Sequence, residues 1–236
     1  MLDTEFLRSW IKPQHLTPEA LQGYKEQFAG EARLAVMEDF LVDDVAAKLA
    51  SFLDSEADFR PEFGLYSVEG AVDEERWRSA AKEDRFFRYG RNVGVSPQHQ
   101  FSPNALSYLR FRTTFPDDRF RAFFEEVTGL QLASSDDFGS HKMATDDYMG
   151  EHDDDNRNRR LAIVLYLTPE WRPEYGGALK VRDADGNART IQATYNSAAI
   201  FDTQAGTMHS VEPVSDKAGD RSRATIGGWY HQPSGA

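Results

Sequence analysis

The segment GEHDDDNRN (149–157) sets one histidine, His152, directly before three aspartates, Asp153, Asp154 and Asp155. Alone it could be a solvated acidic loop or half of a metal site. If residues 150–154 are extended, side chains alternate, so His152 and Asp154 share one face while Asp153 and Asp155 point away. His209, far downstream, is the candidate third ligand. Two imidazoles and one carboxylate on one face of an octahedral ion leave three positions open, the arrangement that non-haem Fe(II) uses for oxygen chemistry. A further signal is Arg223, which opens the otherwise apolar stretch RATIGGWYH (223–231). A cation on a buried strand is costly without a partner, and the planar guanidinium suits a carboxylate held by two hydrogen bonds. That carboxylate could be a protein acid or the distal end of a small dicarboxylate. Thr225 shares the face of Arg223 and offers a hydroxyl.

The composition narrows the alternatives. The 236 residues contain no cysteine, so disulfides, thiolate metal sites and cysteine nucleophiles are excluded. Any metal is left to His, Asp or Glu. The formal net charge of -12 repels phosphate backbones and argues against nucleic acid as a partner. No apolar run approaches the roughly 20 residues that span a bilayer. The N-terminal MLDTEFLRSWIKPQ lacks the apolar stretch of a signal peptide. A soluble cytoplasmic protein with no membrane partner is expected.

The elements that must position these residues are legible in outline. Residues 17–55 read as helical: Thr17 is an N-cap, Pro18 sits at the first helical position, and Gly30 ends the segment. Leu41, Val45, Leu49 and Leu53 form a stripe that packs on the core or on a partner. Residues 56–104 read as extended segments and loops. FPDDRFRAFFEEVTGL predicts a helix opened by Asp117 and Asp118 and closed by Gly129. From about 138 onward, short strand-like runs follow one another: 161–168, 177–183, 188–195, 197–203, 209–214 and 224–231, divided by turn signals such as EYGG and DADGN. Strands at this spacing suggest a β-sandwich or barrel.

The order His152-x-Asp154, then His209, then Arg223-x-Thr225 resembles the signature of the Fe(II)/2-oxoglutarate-dependent dioxygenases. RRLAIVLYLTPEWRPEYGGALKV and RATIGGWYH are similar to the prolyl-hydroxylase-like branch of that superfamily, and FFEEVTGLQL resembles its subgroup that hydroxylates a ribosomal-protein proline. The resemblance covers roughly residues 105–232. It implies an α+β fold with a double-stranded β-helix (jelly-roll) core over 105–236 and an N-terminal helical and mixed layer over 1–104. It implies Fe(II), held by His152, Asp154 and His209, with 2-oxoglutarate and dioxygen as cosubstrates. Arg223 would grip the distal carboxylate of 2-oxoglutarate, with Thr225 beside it and the Tyr166 hydroxyl reaching the same group. The carboxylate of Asp154 favours hydroxylation over halogenation. Trp171 and Trp229 match framework positions and are expected in the core. Lys142 is expected to face solvent. The compact chain shows no docking domain for a large partner, which favours a small-molecule substrate such as an amino acid or biosynthetic intermediate. Its carboxylate could be held by Arg110, Arg112, Arg157 or Arg159. A prolyl residue of a protein is the alternative substrate. A non-redox cupin-like metal protein is a further alternative, but it has no use for Arg223.

Overall fold

The structure, a computed structural model, describes residues 2–154 and 158–233. Its helices are α1 (Thr4–Leu7), α2 (Pro18–Ala29), α3 (Asp43–Ser51), α4 (Glu74–Ser79), α5 (Pro103–Thr114) and α6 (Asp118–Thr128). Local chemistry sets their ends. Thr17 Oγ1 accepts from the Ala20 amide to start α2, and Gly30 caps its end. Asp117 accepts from the Arg119 amide at the start of α6, and Gly129 closes that helix in the left-handed conformation, φ 71°. None of these helices is long and apolar enough to cross a membrane.

The strands are β1 (Leu34–Met37), β2 (Ala57–Leu65), β3 (Val68–Val72), β4 (Arg85–Val95), β5 (Phe138–Met143), β6 (Tyr148–His152), β7 (Arg159–Tyr166), β8 (Leu179–Arg182), β9 (Ala188–Ile191), β10 (Ser197–Asp202), β11 (Met208–Val211) and β12 (Arg223–His231). They form one antiparallel sheet in the order β1-β10-β7-β12-β5-β4-β6-β11-β8-β9, with β2 and β3 added on the outer side of β4. The sheet curls so that β5, β7 and β12 face β6, β8 and β11 across one cavity. This is the jelly-roll core that the family resemblance implied.

Two expectations need correction. The stretch 17–55 is not helical throughout. LAVM at 34–37 is strand β1, bonded to β10 with Leu34 opposite Phe201 and Met37 opposite Ala198. A four-residue apolar run carries no period of its own, and the exposed edge of β10 decides it. Helix α5 was missed, although Ser102 caps it and Pro103 opens it.

The burial pattern explains the central strands. Leu161, Ile163 and Leu165 of β7 and Ala198 and Ile200 of β10 pack on the helical layer, with Phe111, Phe120, Phe123 and Phe124. The alternate residues Ala162, Tyr166, Ala199 and Phe201 pack on the opposite face with Leu179 and Val181. Strands covered on both faces read as unbroken apolar runs, as LAIVLYL does. Strict alternation sends Tyr166 inward with the cavity-facing set.

Candidate active site

Strand pairing brings the two distant histidines together. His209 of β11 lies opposite His152 of β6 in the antiparallel register, with ring centroids 4.1 Å apart. β6 ends at His152, and the chain continues extended enough to turn Asp154 back to the same side. Asp153 is exposed and Asp154 buried. His209 Nε2 is 3.2 Å from Asp154 Oδ2 and His152 Nε2 is 3.6 Å from Asp154 Oδ1. One donor atom from each residue lies within 4.8 Å of the others, a spacing that can hold one metal ion. The expected alternation is thus observed for residues 152–154, while Asp155 lies outside the described residues.

The protonation states suit a cation. Burial, reinforced by the neighbouring His209, pushes His152 down to about 4, so it is neutral at pH 7. Burial opposes ionisation of Asp154, but the hydrogen bond from His209, the charges of both histidines and the Trp229 N–H outweigh it and hold the carboxyl at about 2. His152 Nδ1 bonds the Gly150 carbonyl at 2.9 Å, which leaves Nε2 free to ligate.

At the other end of the cavity Arg223 is 4% exposed. Its Nη1 has one contact, to Met143 Sδ at 3.6 Å, and its Nε has no partner among the described residues. Burial lowers its proton affinity. The Tyr166 hydroxyl is buried and equally unpartnered, and the guanidinium carbon lies 5.0 Å from its ring centroid. Thr225 is paired in register with Tyr166 on one side and His141 on the other. A buried cation and a buried hydroxyl with no anionic partner among the described residues fit an external anion entering the cavity. Gly177 makes room for Arg223. It sits at φ 71°, and a Cβ there would lie 2.8 Å from Arg223 Cδ.

The cavity, about 380 Å³, is otherwise mostly apolar, lined by Phe86, Phe87, Met149, Val164, Leu179 and Phe201 among others. Several residues differ from expectation. Trp229 is half-buried and lines the cavity, where its Nε1 donates to Asp154 Oδ2 at 2.8 Å, so it is not simply core. Trp171 is in the core as expected. Lys142 points out of the cavity but is half-buried and donates to the Asp54 carbonyl at 3.0 Å. Of the four arginines considered for substrate, Arg159 lines the cavity, Arg110 and Arg112 do not, and Arg157 lies outside the described residues. Sequence reasoning missed His141, whose neighbours Thr225 and Arg91 come from strand pairing, and the aromatic wall of Phe86 and Tyr66. The Phe86 ring is 5.1 Å from His152, and Tyr66 stacks on Phe86 at 4.8 Å while donating to the Glu151 carbonyl.

His141 gives a pH prediction. Desolvation, with the Arg91 and Arg223 charges beside it, pushes its imidazole from 6.5 to about 4. Between these values the unfolded chain binds a proton that the folded chain refuses, so stability rises with pH across the window. The contribution is complete above about 6.5 and declines as pH falls toward 4, by roughly 3 kcal/mol in all. Urea unfolding of the ligand-free protein at pH 7 and pH 4.5 should show a smaller loss for His141→Asn than for wild type. Equal losses would mean that this imidazole protonates freely in the folded state.

Comparison with known proteins places this geometry in a family. The sequence model of the 2OG-Fe(II) oxygenase superfamily matches residues 139–231. Prolyl 3-hydroxylase OGFOD1 of Mus musculus is 31% identical over 135 residues, 55% of this chain and 24% of that protein. Prolyl 3-hydroxylase sudestada1 of Drosophila melanogaster is 33% identical over 173 residues, 68% of this chain and 30% of that protein. The chain therefore matches less than a third of the length of these relatives. Among solved structures, a Pseudomonas putida prolyl-4-hydroxylase superposes with a TM-score of 0.60 at 19% identity, covering 91% of this chain and all of that one. A Trichoplax adhaerens prolyl hydroxylase, solved with a peptide fragment of hypoxia inducible factor, gives 0.58 at 13% identity, covering 92% and 94%. These relatives overturn the expectation of a small-molecule substrate: they are prolyl hydroxylases, and one was solved on a peptide. The lack of a separate docking domain was the wrong criterion. Residues 139–231 match the 2OG-Fe(II) oxygenase superfamily, and the His152, Asp154 and His209 cluster they carry suits the Fe(II), 2-oxoglutarate and dioxygen that this superfamily uses.

Proposed function

We propose that the protein hydroxylates a prolyl residue within a protein substrate. In this reading His152, Asp154 and His209 hold Fe(II), and Arg223, Thr225 and Tyr166 hold 2-oxoglutarate by its distal carboxylate. The observation that carries the cosubstrate assignment is Arg223, buried with no carboxylate paired to it among the described residues, in the cavity that the three ligands share. The prolyl assignment rests on the relatives, prolyl 3-hydroxylases by name.

When bound, iron with 2-oxoglutarate and dioxygen supplies the oxidising chemistry, with decarboxylation of 2-oxoglutarate to succinate. The chain supplies geometry. His152 and His209 would present imidazole nitrogens to the metal, and the ionised Asp154 would offset part of its charge. Arg223 would hold the distal carboxylate of the cosubstrate and so limit its orientations in the cavity. Phe86, Phe87, Val164 and Phe201 keep water from the reacting carbon. The exposed Tyr66 and the Phe86 beside it offer flat apolar faces to an incoming proline ring at the mouth.

The test is a turnover screen. The protein, loaded with Fe(II), is given 2-oxoglutarate and either proline-containing peptides or free amino acids, with succinate and peptide mass as readouts. Gain of one oxygen on a prolyl residue, coupled to succinate, is expected from some peptides and from no free amino acid. Succinate coupled only to a free amino acid would overturn the protein-substrate reading.

A further inference from the structure

The surroundings of Asp154 carry more than a ligand role. A carboxylate has about four acceptor positions, and how its two oxygens are held determines whether it meets a metal with one or both. Oδ2 takes the Trp229 indole N–H at 2.8 Å and lies 3.2 Å from His209 Nε2. Among the described residues Oδ1 has only loose neighbours, Arg159 Nη1 at 3.5 Å and His152 Nε2 at 3.6 Å. One oxygen is thus tied down and the other keeps free lone pairs.

The donor is itself held on three sides. The Trp229 carbonyl accepts from Ser135 Oγ at 2.6 Å, and its amide donates to the Asp137 carbonyl at 3.1 Å. Gly228 permits this close approach, since a Cβ there would lie 2.2 Å from the Asp137 oxygen. The Arg159 guanidinium lies over the indole with its central carbon 3.4 Å from the ring centroid, and its Nε donates to Asp137 Oδ2 at 2.8 Å. The segment 135–137 therefore grips the main chain of Trp229 and, through Arg159, the face of its ring. A tryptophan serving only as filler would not need its N–H aimed at a buried carboxylate, nor a cation clamped over it.

We propose that Trp229, braced by Arg159 and Asp137, is a positioning residue that holds one oxygen of Asp154 and presents the other to the metal, and so sets metal affinity. The inference rests on the reading of His152, Asp154 and His209 as ligands. It does not depend on the substrate.

The test is a titration of the metal-free full chain with Co(II), followed by visible absorption, alongside urea unfolding without metal. Trp229→Phe keeps an aromatic ring, though a smaller one, and deletes the N–H donor. It is expected to weaken Co(II) binding by about 10- to 100-fold, the range for an outer partner of a ligand, and to change the Co(II) spectrum. Its metal-free unfolding midpoint should stay close to wild type. Arg159→Gln, which removes the brace without touching the core, should weaken binding by a smaller factor, and it decides the matter if Trp229→Phe does not fold. Binding within twofold of wild type and an unaltered spectrum in the folded variants would overturn the inference while leaving the ligand set intact. Failure of the wild-type chain to bind Co(II) would overturn the ligand set itself, and this inference with it.

Discussion

Replacing Arg223 with methionine raises the stability of the ligand-free protein and abolishes its response to 2-oxoglutarate. Both effects follow from one observation, a guanidinium 4% exposed that has no carboxylate partner among the described residues, only the Met143 sulfur and the Tyr166 ring beside it. Without its anion, the folded state bears the desolvation cost of an unpaired cation, and a thioether of similar reach does not. The ligand-free variant should gain about 1 kcal/mol or more in urea unfolding. With the cosubstrate present the sign reverses. Losing one partner of a buried, hydrogen-bonded charge pair costs roughly 2–5 kcal/mol, so KM for 2-oxoglutarate should rise by about two to three orders of magnitude. A variant that is both less stable and unchanged in KM would mean that Arg223 has a protein role instead.

The second large effect is at Asp154. Asp154→Ala deletes the only carboxylate of the ligand cluster and should weaken metal binding by more than the 10- to 100-fold expected of an outer partner. Iron-dependent succinate formation should fall below detection. The variant also strands the Trp229 N–H, an unpaired donor that costs about 1–3 kcal/mol. Asp154→Asn separates the two effects, because its amide oxygen can still accept from Trp229 while its charge is gone. It should recover the stability and not the metal. Full iron-dependent turnover in Asp154→Ala would show that the ligands lie elsewhere.

The metal cluster was legible in the sequence because its logic is local or follows chain order. Strand alternation selects Asp154 over Asp153 from three adjacent residues. Arg223 announces itself as a charge on an apolar strand. The later strands were legible for a similar reason, since glycine-rich turns divide them and their apolar faces are continuous. What was missed depends on contacts between segments far apart. Trp229 reads as a framework aromatic until its N–H is found on Asp154, which is 75 residues away. His141 carries no motif and acquires its setting from Arg91 on a strand that arrives much earlier in the chain. LAVM at 34–37 becomes a strand only because β10 offers it an edge. The substrate was the largest miss. The choice of a small molecule came from the apparent lack of a docking domain, whereas the curated relatives are prolyl hydroxylases by name.

Strand β4 has a consequence for where this protein can be cut. It pairs with β5 through Gly90 and Arg91 and with β6 through Phe87 and Arg88, so it is the seam that joins the two halves of the sheet. The stretch recognisable as a family begins only at 139. A fragment starting there would have no seam, would uncover strand edges on β5, β6 and β10, and would strip the helices from the outer face of β7. Such bare edges recruit other chains. The shortest segment that carries the family's signature is therefore not the shortest that can stay monomeric, and excision or domain grafting should take the boundary from the seam.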